Sequence, residues 1–329
     1  MKIITSIGDL NGIGLETFTK AIALCPANFF ENNSIAIVSS ISNIYDYLSK
    51  INFPFSIDDN FLIIDNKRVE IIEINSNSQI EFGKISTQSA AIALSSLQLA
   101  TDLVLSKQYD ALLTLPISKN AMHLLDFAYP GHTEYLAMRD NTNSPLMILF
   151  NDQMRVALAT IHIPLKDVSN TISKVHIEKT MKMFYNSLKI DFAINNPKIA
   201  VLGLNPHAGE NGDIGNEEIE ILNPVIKEMS IDNYSLGGTF PADSFFARNN
   251  WKNYDGILAM YHDQGLIPMK MTSKNGGVNF TAGLSFVRTS PDHGTGFDIA
   301  GKNIANGNST LQALIWVEKI ASNRIIFQE

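Results

Sequence analysis

Short apolar runs, each stopped by a turn containing Gly, Pro, Asn or Asp, recur along this chain and alternate with stretches of helical period. Residues 2–7 form the first run and stop at Gly8-Asp9, after which residues 12–25 carry a helical pattern. SIAIVS at 34–39 repeats the device ahead of helical spacing over 42–50. Residues 52–80 are Asn-rich and rich in β-formers, 86–107 have long helical periodicity, and DALLTL at 110–115 ends in Pro116-Ile117-Ser118-Lys119. Farther on, residues 147–150 and 155–160 predict paired strands, with Asn151-Asp152 as the hairpin turn. Helices are predicted over 175–188 and 217–229, and strands over 198–204 (KIAVLGL) and 256–261 (GILAMY). Leu311, Leu314, Val317 and Ile320, with Ile315 widening the stripe, predict a C-terminal amphipathic helix capped by Asn308 or Ser309.

Apolar runs that alternate with helices imply parallel strands and an α/β fold. In such folds ligands gather beyond the carboxyl ends of the strands, where turns present side chains and helix N-termini. No repeat, low-complexity tract or flexible linker interrupts the chain, which two domains sharing one continuous sheet would explain.

Composition narrows the class. With 329 residues, 45% hydrophobic and 18% charged, the chain can build a sizeable core. Its net charge of −8 leaves no basic excess for a nucleic-acid backbone or an anionic membrane surface. Cys25 is the only cysteine, so no internal disulfide forms, and it reads as a small buried hydrophobe. The N-terminus lacks the apolar stretch and cleavage site of a signal peptide, and no run is long enough to span a bilayer, so a cytoplasmic enzyme is expected.

Four groups of residues carry candidate chemistry. His162, His207 and His262 each follow an apolar strand, so each is expected at the carboxyl edge of a sheet, where imidazoles can converge on a divalent cation. A single histidine so placed is ordinarily a hydrogen-bonded structural residue, and three in one setting leave both readings open. His123 and His176 stand in helical patterns and are read as structural. In Gly131-His132-Thr133-Glu134 the threonine reads first as a helix cap, although the same amides can bind an anion. Lys270, Asn279 and Arg288 lie near glycine-rich turns and suit a phosphate or carboxylate, against solvated surface as the ordinary alternative. Finally, residues 290–302, SPDHGTGFDIAGK, predict a loop with close-approach glycines. Gly12-Ile13-Gly14 is only a partial glycine pattern, so a standard dinucleotide fingerprint is absent.

GDLNGIGLE (8–16), PGHTEYLA (130–137), ATIHIPLKDV (159–168), LNPHAGENGDIG (204–215), YHDQGLIPMK (261–270) and RTSPDHGTGFDIAGK (288–302) together resemble the 4-hydroxythreonine-4-phosphate dehydrogenase family of pyridoxal phosphate biosynthesis. The resemblance runs in order over essentially the whole chain, and its last motif is similar to the nucleotide loop of isocitrate and isopropylmalate dehydrogenases. It implies their fold: two α/β domains sharing a continuous mixed sheet with a cleft between them. The cofactor-side domain is expected at 1–130 plus 280–329, and the metal, substrate and dimerisation domain at 131–279.

The resemblance also implies roles. His162, His207 and His262 bind a divalent metal, zinc being favoured over magnesium or cobalt, with ligands from both subunits of a homodimer. His132, Thr133, Lys270, Asn279 and Arg288 contact the substrate, and Asp292, His293, Gly294, Thr295 and Asp298 belong to the NAD or NADP site. Lys119, Asp243 and Lys270 are the candidates for general base. The implied reaction is oxidation and decarboxylation of 4-phosphooxy-L-threonine. A dehydrogenase of threonate or erythronate 4-phosphate is the nearest alternative, ahead of a phosphate acyltransferase of related fold and a non-catalytic binding protein. The chain departs from the commoner GDPAGIGPE at Leu10, Asn11 and Leu15, and has Gly296 where alanine is common.

Overall fold

Ile3, Ile4, Ile35, Ile37, Leu112 and Leu113 are shielded from water almost completely, because the runs that hold them are strands covered on both faces. The computed structural model of the chain describes residues 1–142 and 145–328. Among these residues the strands are β1 (Lys2–Ser6), β2 (Ser34–Ser39), β3 (Ser56–Asp58), β4 (Phe61–Ile64), β5 (Lys67–Glu73) and β6 (Ala111–Thr114). They continue as β7 (Leu146–Phe150), β8 (Arg155–Leu158), β9 (Lys198–Leu202), β10 (Ser235–Phe240), β11 (Gly256–Ala259), β12 (Val278–Ala282) and β13 (Val287–Pro291). The chain divides into two compact units, Met1–Asn143 with Leu284–Ala321, and Ser144–Gly283 with Ser322–Glu329.

In the first unit β13, β6, β1, β2 and β5 lie side by side and parallel, and β4 and β3 extend them antiparallel. Parallel strands end at one edge, so the turns after Ser6, Thr114 and Pro291 share it. The helix Thr87–Leu105, opened by Ser86 whose hydroxyl accepts the amide of Ser89, packs Leu97, Ala100 and Val104 into the core. Tyr135 and Leu136 of the helix His132–Arg139 join that core together with Leu284 and Phe286. That packing assigns His132 and Thr133 to the same unit as Arg288.

The departures at the N-terminal motif have a structural account. Leu10 and Leu15 are core residues. Asn11 is buried; its Oδ1 accepts the amide of Glu81 at 2.8 Å and its Nδ2 donates to the carbonyl of Lys84 at 3.0 Å. One side chain thereby pins the 81–84 turn to the end of β1.

In the second unit β10, β9, β11 and β8 are parallel, and β7 and β12 continue the order antiparallel. Val156, Leu158, Ala200, Leu202, Ile257 and Ala259 supply its core from three neighbouring strands. Ile177, Met181, Phe184 and Leu188 of the helix Lys174–Ile190 are fully buried at helical spacing, as an amphipathic helix requires.

Several expectations are corrected here. Residues 217–229 do not form one helix: a π-helical turn, Glu218–Leu222, precedes the α-helix Asn223–Ile231. Pro224 has no N–H for the α-helical ladder, and the wider turn accommodates the loss. Asn308 and Ser309 both lie inside the last helix, Asn308–Gln328, rather than ahead of it, and Ser309 Oγ donates to Asp292 Oδ1 at 2.7 Å. Beyond β11 the chain forms the helix His262–Thr272, with Pro268 inside it. No helix among the described residues is long and apolar enough to cross a membrane.

Candidate active site

In the first unit a buried cation stands at the carboxyl edge. Arg288 is the second residue of β13, opposite Leu112 of β6, and is only 2% exposed. From there its Nε and one terminal nitrogen donate to Thr114 Oγ1 at 3.0 and 2.6 Å. Burial brings the guanidinium down from its ordinary range to about 10, an effect that the carboxylate of Glu134 opposes. It therefore stays charged at neutral pH.

Around it the helix His132–Arg139 begins at Gly131, which offers no side-chain cap. Thr133 is thus inside the first turn and buried, not the capping residue its position suggested. The first amides of this helix carry partial positive charge with no side chain of the cap to accept them. His132 Nε2 is shielded from solvent and has no hydrogen-bond partner. Burial, and then the charges of Arg288 and Lys119, hold its imidazole well below the ordinary value. The ring is consequently neutral at pH 7 and can offer one donor and one acceptor. A buried arginine, an uncapped helix start and a neutral histidine with an unsatisfied ring nitrogen form a receptor for an anion with several oxygens. Lys119, the first residue of the helix Lys119–His123, has an exposed ammonium on the rim.

The loop after β13 packs against the N-terminal motif. Ile13 donates its amide to the carbonyl of Thr295 at 2.9 Å, and Gly83 donates to the carbonyl of Asn11 at 2.9 Å. A Cβ at Gly12 would stand 2.7 Å from that same Thr295 carbonyl oxygen, so glycine permits the approach. Gly296 has φ +54, in the left-handed region that favours glycine. Asp292 is committed to Ser309, and Lys302 donates to the carbonyl of Asp298 at 2.7 Å. Gly294 has open space where a Cβ would be, and His293 Nε2 is buried without a partner. A loop so anchored, with an unhindered backbone and an unsatisfied imidazole, fits a dinucleotide cradle.

In the second unit the three histidines follow the carboxyl ends of β8, β9 and β11, and β11 is paired in parallel to both of the others. The rings of His162 and His262 stand 5.8 Å apart between centroids. With metal–nitrogen bonds of about 2.0–2.1 Å, two rings on one ion are a few ångströms apart, so this pair fits a shared cation. Asp263 Oδ1 holds His262 Nδ1 at 2.7 Å, an outer contact that leaves Nε2 as the ring's other nitrogen for a cation. His207 does not join them: among the described residues no group of three or more His, Cys, Asp or Glu that could hold a metal forms within one chain. It stands in a run from His207 to Asn211 whose φ values are all positive, 53, 52, 81, 41 and 58. Each non-glycine residue so held costs about 1–2 kcal/mol, a strain typical of sites under functional constraint.

The remaining assigned residues occupy regular elements. Lys270 is exposed in the last turn of the helix His262–Thr272. Asn279 lies on β12 opposite Leu149, with its Oδ1 buried and without a partner. Asp243 is exposed in the first turn of the helix Ala242–Ala247. His176 is structural, as expected: its Nε2 pairs with the carbonyl of Ala159 at 2.8 Å. Sequence reasoning missed Thr114, Glu218 and Gln264. All three are polar residues at strand ends or in helical turns, whose partners lie outside their own elements.

Residues 19–317 match the model of the pyridoxal phosphate biosynthetic protein PdxA. A 4-hydroxythreonine-4-phosphate dehydrogenase of Bacteroides thetaiotaomicron is 38% identical over 325 residues, covering 96% of this chain and 88% of the relative. The crystal structure of a 4-hydroxythreonine-4-phosphate dehydrogenase from Klebsiella pneumoniae aligns with a TM-score of 0.80 at 33% identity, covering 98% of each chain. An isocitrate dehydrogenase from Methylococcus capsulatus, at 12% identity and a TM-score of 0.50 over 99% of this chain and 88% of that one, shares the fold alone.

Proposed function

The chain belongs to the PdxA family of pyridoxal phosphate biosynthetic proteins, and from that premise we propose how its residues divide the work of a dehydrogenase. The reaction is the NAD(P)-dependent oxidation of 4-phosphooxy-L-threonine to 2-amino-3-oxo-4-phosphooxybutanoate, followed by decarboxylation to 3-amino-2-oxopropyl phosphate. The active form is a homodimer in the cytoplasm.

The observation that carries the reading is the buried Arg288 beside His132, whose Nε2 lacks a partner. A guanidinium that burial disfavours is worth keeping where a dianionic group meets it. Arg288, His132 and Thr133 hold the phosphate, so the far end of the substrate is fixed before any chemistry begins. Lys270 and Asn279 contact the amino-acid end, and the buried Oδ1 of Asn279 accepts a donor from it. His162, His207 and His262 hold a divalent cation, with ligands from both subunits. Zinc suits the imidazole set best, ahead of magnesium or cobalt. The residues 292–298 hold the dinucleotide through Asp292, His293, Gly294, Thr295 and Asp298.

Bound there, the dinucleotide would supply the hydride acceptor, and a cation on the three histidines would supply the positive charge that acidifies a substrate hydroxyl and offsets the charge of decarboxylation. The protein supplies the rest. The proton of the substrate hydroxyl goes to a base, for which Lys119, Lys270 and Asp243 are the candidates. Neutral His132 binds the phosphate without adding a third positive charge to those of Arg288 and Lys119.

The substrate assignment is tested by following the reduced nicotinamide with 4-phosphooxy-L-threonine and erythronate 4-phosphate, each with NAD⁺ and NADP⁺. Turnover of the amino acid alone is expected. Faster turnover of the sugar acid would move the chain to the other dehydrogenase activity.

A further inference from the structure

A line of hydrogen bonds joins the stretches that carry the three histidines. Thr160 Oγ1 donates to the carbonyl of Met260 at 2.7 Å, linking the His162 segment to the His262 segment. Gln264 accepts the amide of Met260 with Oε1 and donates to the carbonyl of Gly203 with Nε2, both at 2.7 Å, linking the His262 segment to that of His207.

Its last member is Glu218, only 1% exposed in the π-helical turn. Oε1 accepts the backbone amides of Leu204 and Asn205, both at 2.8 Å, and Oε2 accepts Asn205 Nδ2 at 2.9 Å. Asn205 Nδ2 also donates to Glu217 Oε2 at 2.7 Å. The surroundings are tight: a Cβ at Gly209 would stand 2.7 Å from Glu218 Oε2, and one at Gly203 would stand 3.1 Å from Oε1.

A buried carboxylate with three donors and, among the described residues, no ion pair is a costly way to fill a core. Its partners are the two residues ahead of Pro206, where the left-handed run that begins at His207 starts. Such a run does not sustain itself, because each non-glycine residue in it is disfavoured. It keeps its shape only if both ends are held from outside.

We propose that Glu218 is a positioning residue of the metal site, fixing residues 203–209 so that the His207 imidazole is presented to the cation. This rests on the assignment of His162, His207 and His262 as metal ligands. Glu218 touches neither substrate nor cation; it acts through the backbone of Leu204 and Asn205.

The test is a Co²⁺ titration of the full-length protein, read by visible absorption, in the wild type, Glu218→Gln and Asn205→Ala. Glutamine supplies one acceptor oxygen where three donors converge, so a donor is left facing a donor. Glu218→Gln is expected to weaken Co²⁺ about 10- to 100-fold, the range for lost outer-shell contacts. Its far-ultraviolet circular dichroism and its NAD(P)⁺ affinity should stay at wild-type values, and excess Co²⁺ should restore kcat. Asn205→Ala keeps both amide bonds to Oε1 and is expected to lose less, about tenfold. It carries the test if the glutamine variant does not fold. Folded variants with wild-type Co²⁺ affinity, even with a lowered Tm, overturn the proposal. A wild type that binds no Co²⁺, or His207→Ala binding it as tightly as the wild type, overturns the ligand assignment itself.

Discussion

Replacing Arg288 by methionine should stabilise the protein and ruin its substrate recognition, and both effects can be sized. Arg288 is 2% exposed, and burial pulls the ionisation of its guanidinium down from the ordinary range to about 10. At about 1.4 kcal/mol per tenfold, the folded state disfavours the charged side chain by about 3 kcal/mol. The sign is fixed by the direction of the shift. The unfolded chain holds the proton more tightly than the folded one, so the whole penalty is present at any pH below about 10. Methionine fills similar space without the charge, and loses the two hydrogen bonds to Thr114 Oγ1. Set against each other, these terms leave a net gain of about 1–2 kcal/mol. Denaturant unfolding without substrate, at neutral pH, should show a higher midpoint for Arg288→Met. The same replacement removes a buried cation from the phosphate, a loss of about 2–5 kcal/mol. That lowers kcat/KM for 4-phosphooxy-L-threonine about 30- to 4000-fold. Activity on unphosphorylated 4-hydroxythreonine should change little. An Arg288→Met variant that is less stable, yet discriminates the two substrates as before, would refute the reasoning on both counts.

Other outcomes follow from the same geometry. His132 is held well below the ordinary imidazole value, by burial first and then by Arg288 and Lys119, so it stays neutral in the fold. Stability should therefore fall as pH drops below about 6.5, by up to about 1.4 kcal/mol per pH unit, until the folded ring itself titrates. His132→Asn should flatten that slope in urea midpoints measured across pH; an unchanged slope would assign it to other groups. Gly296→Ala places a Cβ at φ +54, within 2.7 Å of Ile13 Cδ1, and should cost about 1–2 kcal/mol in the same measurement. Wild-type stability in that variant would mean that the loop relaxes freely. Asn11→Ala leaves the amide of Glu81 without its buried acceptor and should cost about 1–3 kcal/mol. Hydrogen exchange should locate the loss at residues 81–84, and protection unchanged there would discount the clamp.

The strands were legible because a continuous apolar run such as SIAIVS has few alternatives to a strand covered on both faces. The edge position of His162, His207 and His262 followed directly, since each stands a few residues beyond such a run. What the chain could not display is the convergence of side chains. His162 and His262 meet because β8 and β11 are neighbours, a pairing across about a hundred residues. For Arg288 an anion site and solvated surface both stayed open, because a lone arginine is ordinarily solvated; its burial depends on Thr114 of β6 and on the helix His132–Arg139. Thr133 read as a cap because local spacing favours one, whereas Gly131 takes that place. Glu218 and Gln264 left no trace because most of their partners are backbone atoms of other segments, which no side-chain pattern reveals. The glycine turn before β12 was legible, with Gly276 at φ +91, whereas Pro268 hid the helix His262–Thr272, since proline ordinarily breaks a helix.

Turnover of 4-phosphooxy-L-threonine before chelation, after chelation and after return of Zn²⁺ or Co²⁺ probes the account at its centre. Production of reduced nicotinamide should cease when the divalent ion is stripped and return when it is restored, with carbon dioxide released alongside. Undiminished oxidation in a protein verified to be free of metal would contradict the role given to His162, His207 and His262.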